Sequence, residues 1–148
     1  MANGRSSPPP HRTAQAIVLI RILVGWVFVS EGIQKFLFPQ ALGVGRFERI
    51  GIPWPHVLAP FVGGVEIVCG TLILLGLCTR IAALPLLGVI SVALCSTKVV
   101  ELGKIGFWAT LHDARADVSM LLGLLFLAAV GGGLLSLNAL LPRRSSDL

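Results

Sequence analysis

The sequence predicts an all-α integral membrane protein, a four-helix bundle running up, down, up, down, with no soluble domain attached. Three observations carry that class. Of the 148 residues, 55% are hydrophobic and 13% charged, against about 25% charged in a soluble domain, and the mean hydropathy is +0.87. Four apolar runs fill the chain between Ala14 and Gly131, apart from polar links; each approaches the roughly 20 residues that a helix rising 1.5 Å per residue needs to cross a bilayer. The second run, Val57 to Leu77, holds a single charged residue near its middle, Glu66. A carboxylate at that depth costs about 2.5–3.5 kcal/mol or more unless it is protonated or paired, so other helices must offer it a partner.

Composition also excludes several functions. The net charge is +5 and the pI is near 9.9. The basic residues are scattered and several sit inside or beside apolar runs, a pattern that suits anionic lipid headgroups rather than nucleic acid. Cys69, Cys78 and Cys95 form no CxxC and match no zinc spacing, so no metal site is expected. Cys69 and Cys78 lie about 13 Å apart along one helix, too far to bridge, and free thiols facing lipid or core are the expectation. Nothing in the sequence forms a catalytic constellation.

Residues 1–13 are polar and proline-rich, and read as a disordered basic tail. The apolar run that follows is too long for a signal peptide, holds Arg21 and Glu31, and lacks a small-residue cleavage pattern. It is expected to stay as the first span, about 14–38. There Arg21, Gly25, Phe28, Gly32 and Lys35 share one helical face. Glu31 stands four residues before Lys35, a favourable helical ion pair. Arg21 has two open readings: snorkelling to the near interface or facing inward. Phe38-Pro39 ends the helix. Residues 40–50 suit a short surface helix with Leu42, Phe47 and Ile50 inward and Arg46, Glu48 and Arg49 toward water. The turn that follows carries Trp54 as an interfacial anchor.

The second span, about 57–77, places Gly63, Glu66 and Gly70 on one stripe, where small residues let another helix approach closely. Gly76 suits the helix C-terminus and Thr79 a cap for the next helix. So short a link makes spans two and three antiparallel neighbours. The third span, about 80–100, has Pro85 near its start, Gly88, Ser91 and Ser96 as small contact positions, and Lys98 near its end. Residues 101–112 read as a loop with Trp108 at the interface. The fourth span, about 114–131, opens on His112, Asp113, Arg115 and Asp117, with Asp113 suited to cap it. The glycines at 131–133 end it, 136–141 suit a short turn, and 142–148 form a tail. Lysines and arginines divide evenly between the two sides, so the positive-inside rule does not orient the chain.

Antiparallel packing gathers one set of polar ends. Glu31 and Lys35 close span one, Lys98 closes span three, and His112, Arg115 and Asp117 open span four, with Glu66 deeper. Acids and bases in that set can neutralise one another, as buried charges must. Two readings stay open: a half-buried ligand- or proton-binding pocket of Glu31, Lys35, Glu66, Lys98, His112, Arg115 and Asp117, or an ion network that only fixes helix register.

These same residues carry a resemblance. Arg21-x-x-x-Gly25, Glu31-Gly32-x-x-Lys35, the Gly-Ile-Pro turn at 51–53, Gly63-x-x-Glu66-x-x-x-Gly70, Leu75-Gly76-Leu77-x-Thr79-Arg80-x-Ala82-Ala83, Asp117 and Gly131-x-Gly133-x-x-Ser136-Leu137 follow in order. Over about residues 15–141 the chain resembles the DoxX family of small four-helix bacterial membrane proteins. Asn138 departs from it, since the family usually has an acid there. The resemblance implies a multi-pass protein of the bacterial inner membrane with cytoplasmic termini. It also implies a link to quinone metabolism or to thiol and superoxide defence, since relatives are similar to the membrane subunit of thiosulfate:quinone oxidoreductase. The expectation is therefore an accessory protein or subunit, with quinone as the candidate cofactor, and with lipid, a soluble redox protein and a second copy as candidate partners. A small-molecule or proton transporter and a membrane scaffold are the rival classes.

Overall fold

A computed structural model describes residues 10–98, 102–104, 106–133 and 135–136. Of the predicted tail at 1–13, residues 1–9 lie outside the described residues, whereas residues 10–13 form the first turn of the first helix, where Pro10 suits a helix start. Glu101, Asn138 and the predicted C-terminal turn and tail from 137 on also lie outside the described residues. The described chain is helical: α1 spans Pro10–Leu37, α2 Val44–Arg49, α3 Pro55–Leu75, α4 Thr79–Ala93 and α5 Phe107–Val130. A π-helical turn, Leu94–Lys98, continues α4.

Three helical stretches are long and apolar enough to cross a membrane: Thr13–Leu37, Pro55–Leu75 and Thr79–Lys104. α5 has the length, with 24 residues, but its first half carries His112, Asp113, Arg115 and Asp117. The outer faces support a lipid surrounding. Leu19, Trp26, Phe61, Ile81, Leu84 and Leu122 each stand more than half exposed, an apolar surface too extensive for a soluble monomer.

α1 packs most extensively on α3, and α4 on α5. The α1–α3 seam is built from the small residues that the sequence placed there. A Cβ added at Gly32 meets the Gly63 carbonyl oxygen at 2.6 Å, and one at Gly70 meets the Gly25 carbonyl oxygen at 3.0 Å. The pairs Gly25/Gly70 and Gly32/Gly63 show that the two helices run antiparallel. They meet backbone to backbone, where van der Waals packing replaces the hydrophobic effect that lipid cannot supply. Val24 and Phe28 of α1, Ile73 of α3, Leu86 of α4 and Leu124 and Leu127 of α5 fill the shared core.

Two caps differ from expectation. The fourth helix begins at Phe107, not near Asp113, with Gly106 (φ +84°) at its N-cap. Asp113 therefore lies in the helix interior. Trp108, expected in a loop, sits in the first turn, 79% exposed. Thr79 is the first residue of α4, and Cys78 (φ +44°) occupies the cap without a side-chain bond. At the other end of that link, Gly76 (φ +73°) closes α3 as expected. Its N–H donates to Ile73 O and the Leu77 N–H to Leu72 O, the paired bonds of a Schellman ending.

Candidate functional site

The α1–α3 seam fixes the site. With Gly32 against Gly63, Lys35 and Glu66 arrive on facing helix surfaces, and Lys35 Nζ lies 2.7 Å from Glu66 Oε2. Both side chains are buried, at 9% and 4% exposure, and Glu31 reaches the same ammonium at 3.8 Å while remaining 45% exposed. Glu66 thus has the partner its depth requires. Oε2 makes this ion contact and no further hydrogen bond among the described residues.

The pair forms part of the wall of a cavity of about 470 Å³ between α1, α2, α3, α4 and α5. Besides Glu31, Lys35 and Glu66, its charged lining is Arg46 from α2 and Asp117 from α5. The remaining lining is largely apolar and includes Phe28, Phe47, Val62, Val89 and Met120. Asp117 is attracted electrostatically by Lys98 first and then by Arg46, and Arg46 also attracts Glu66, less strongly than Lys35 does. Neither the Arg46 guanidinium nor the Asp117 carboxylate makes a hydrogen bond or close ion pair among the described residues. Thr97, in the π-helical turn, also lines the cavity, and its Oγ1 is buried without a hydrogen-bond partner. A π turn in a helix often marks a functional site.

Four of the predicted site residues therefore meet in one cavity: Glu31, Lys35, Glu66 and Asp117. Three do not line it. Lys98 pairs with Asp113 and borders a shallower apolar pocket with Cys95 and Phe107. His112 and Arg115 are exposed, with Arg115 Nη1 donating to the His112 carbonyl. They lie five and two residues before Asp117, so a helix of 3.6 residues per turn carries them about 140–200° away from its cavity-facing side. Arg46 was expected to face water. It lines the cavity instead, because the buried Gly45 and Phe47 press α2 against the bundle. Gly88 and Ser96 were expected as helix contacts but are cavity wall.

A second polar cluster, at the opposite end, settles the two readings of Arg21. Its guanidinium faces inward, 4% exposed. Nε donates to Ile73 O at 2.9 Å, Nη2 to Leu74 O at 2.8 Å, and Nη1 to Gly132 O at 3.1 Å and Leu135 O at 2.9 Å. These include carbonyls that the end of α3 leaves without helical partners, and a cation suits the negative end of the helix dipole. Arg80 acts alike, donating to Ala129 O at 3.0 Å near the end of α5. The available sequence signal was the run of glycines at the same end as Arg21: Gly76, Gly131, Gly132 and Gly133.

A helical bundle with several membrane-length apolar helices, a lipid-facing exterior and an interior ion pair defines the class: an integral membrane protein. The DoxX family model matches residues 16–99. The chain is also 53% identical over 137 residues to an uncharacterized membrane protein of Mycobacterium tuberculosis, Rv3486, a match covering 88% of this chain and 84% of that protein. The chain belongs to the DoxX family. No solved structure matches it.

Proposed function

We propose that the four long helices cross the bacterial inner membrane in alternation, with both termini cytoplasmic, and that the cavity binds the polar ring of a quinone. The protein then serves quinone-linked redox or oxidative-stress metabolism as a subunit or accessory. The observation that supports this is the buried Lys35–Glu66 ion pair in the wall of a cavity of about 470 Å³. Cavities of roughly 300–1,000 Å³ with apolar walls and a few convergent polar groups are the usual form of small-molecule sites, whereas an ion network that only fixed register has no need of such a space beside it.

The lining suits such a ring. Lys35 and Arg46 are donors for ring oxygens, Thr97 Oγ1 is an unspent donor and acceptor, and Glu31, Glu66 and Asp117 are acceptors able to exchange protons. Phe28, Val62, Val89 and Met120 would supply apolar wall for its ring faces. A bound quinone supplies two-electron chemistry. The chain has no CxxC, so this reading assigns electron delivery to a soluble partner, while the residues here bind, orient and exchange protons.

The test is saturable binding of decylubiquinone to the purified protein in nanodiscs. Lys35→Met and Glu66→Gln are each expected to weaken binding at least tenfold, about 1.4 kcal/mol, with helicity retained. Absence of saturable binding to the native chain, or equal binding by both variants, overturns the reading and leaves the ion pair with a structural role.

A further inference from the structure

The cavity has a direction, and α4 sets it. One face of this helix, Thr79, Ala82, Ala83, Leu86 and Ile90, is buried. A second face, Pro85, Gly88 and Val92, lines the cavity and is nevertheless exposed. Residues that are both cavity wall and outer surface mark a mouth. That mouth lies on a stretch apolar enough to span a bilayer, Thr79–Lys104, and is flanked by Ile81 and Leu84, which are 69% and 61% exposed. In a bilayer spanned by this stretch, what lies outside it would be acyl chain.

Gly88 sits in the middle of this mouth. A Cβ added there meets nothing within 4 Å, as also at Gly64 of α3, but only Gly88 of these two lines the cavity; one added at Gly25, Gly32, Gly63 or Gly70 meets a neighbour at 3.0 Å or less. Those four glycines are explained by helix contact. Gly88 is not, and glycine in a helix interior costs about 0.8–1.0 kcal/mol relative to alanine. The space that its missing side chain leaves belongs to the cavity and its opening.

We propose that the cavity opens sideways into the bilayer across Pro85, Gly88 and Val92, with Gly88 as the sill that sets which ligands enter. The ligand class follows: an amphiphile already dissolved in lipid, its polar ring at the Lys35–Glu66 wall and a single apolar chain passing out over Gly88. This rests on the reading of the cavity as a ligand site and adds the route of entry and the residue that gauges it. An unencumbered backbone at the sill lets a flat ring pass close to the helix.

Two measurements test it, one independent of any ligand. A nitroxide is attached through Gly88→Cys in a chain whose three native cysteines are alanine, reconstituted in bilayers. The label is expected to collide with dissolved oxygen and to be shielded from a water-soluble nickel chelate. Access to the chelate, or shielding from both because a second copy covers this face, overturns the port. In the second measurement, Gly88→Phe is expected to weaken decylubiquinone binding at least tenfold with the melting temperature unchanged, and Gly88→Ala to have a smaller effect, which carries the test if the larger residue impairs folding. Native affinity in both variants overturns the sill. If the native chain binds no quinone at all, the proposed function falls, and the nitroxide still decides the port.

Discussion

Arg21 and Lys35 stand on the same face of α1, about four turns apart, and meet opposite surroundings. Arg21 distributes its donors over four backbone carbonyls from two other parts of the chain. Its guanidinium leaves no room: a side chain at Gly76 would strike it directly. Lys35 is held by the side chains of Glu66 and Glu31, beside a cavity in which Arg46, Asp117 and Thr97 retain unspent polar capacity. One end joins helix termini and is closed. The other is charged, incomplete and open. Buried polar groups are ordinarily satisfied, so unspent ones gathered around a cavity point to function, and fully spent ones to stability.

The largest effect expected from this contrast is on folding at the closed end. Arg21→Met removes one donor from each of four carbonyls. Ile73 O keeps the Gly76 N–H, and each of the others that stays buried and unsatisfied costs about 1–3 kcal/mol. A total loss of about 3 kcal/mol or more is expected, read from reversible unfolding in bicelles, with ligand affinity of the folded fraction unchanged. Arg21→Lys recovers a minor part, because an ammonium cannot fork to acceptors on two segments. A loss below about 1 kcal/mol breaks the comparison.

Gly76→Ala comes next. The φ of +73° is strained for any residue with a Cβ, at about 1–3 kcal/mol, and that Cβ meets the Arg21 guanidinium. If the two residues form one device, the effects of Arg21→Met and Gly76→Ala are not additive. Additive losses in the double variant separate the helix ending from its cap.

Glu66→Gln sharpens the contrast at the other end. Lys35 keeps the half-exposed Glu31 at 3.8 Å, so the expected loss is about 1–2 kcal/mol, below the 3–5 typical of breaking a fully sealed buried pair. Ligand affinity falls while most stability remains. A loss as large as that of Arg21→Met makes the ion pair a structural element after all.

The two ends were unequally legible in the sequence. Side-chain chemistry advertises itself: an acid in an apolar run, flanked by Gly63 and Gly70, announced a helix contact, and the i, i+4 spacing of Glu31 and Lys35 supplied a base. Backbone acceptors carry no residue signature. The partners of Arg21 lie 52 to 114 residues away and are carbonyls that any sequence possesses, so only the terminal glycines hinted at them. The start of α5 was hidden for a related reason. Gly106 begins the helix without a side-chain cap, and the polar stretch after it resembles a loop until the helix it continues is seen. Arg46 was hidden because α2 has only six residues, too few for its periodicity to show which side faces the bundle.

Asp117→Asn is expected to produce the smallest change in stability and is the most discriminating test of the open end. The carboxylate lines the cavity and makes no hydrogen bond or close ion pair among the described residues, so its loss removes no contact on which the fold depends. Unfolding free energy should stay within about 0.5 kcal/mol of the native value. The amide has nearly the same shape, so the cavity keeps its volume while losing an acceptor and a negative charge attracted by Lys98 and Arg46. A change of several-fold in quinone affinity without a change in stability assigns Asp117 to the ligand. A loss above about 1 kcal/mol, on the scale of a named structural mechanism, instead places Asp117 with Arg21, as a group the folded chain needs for its own sake.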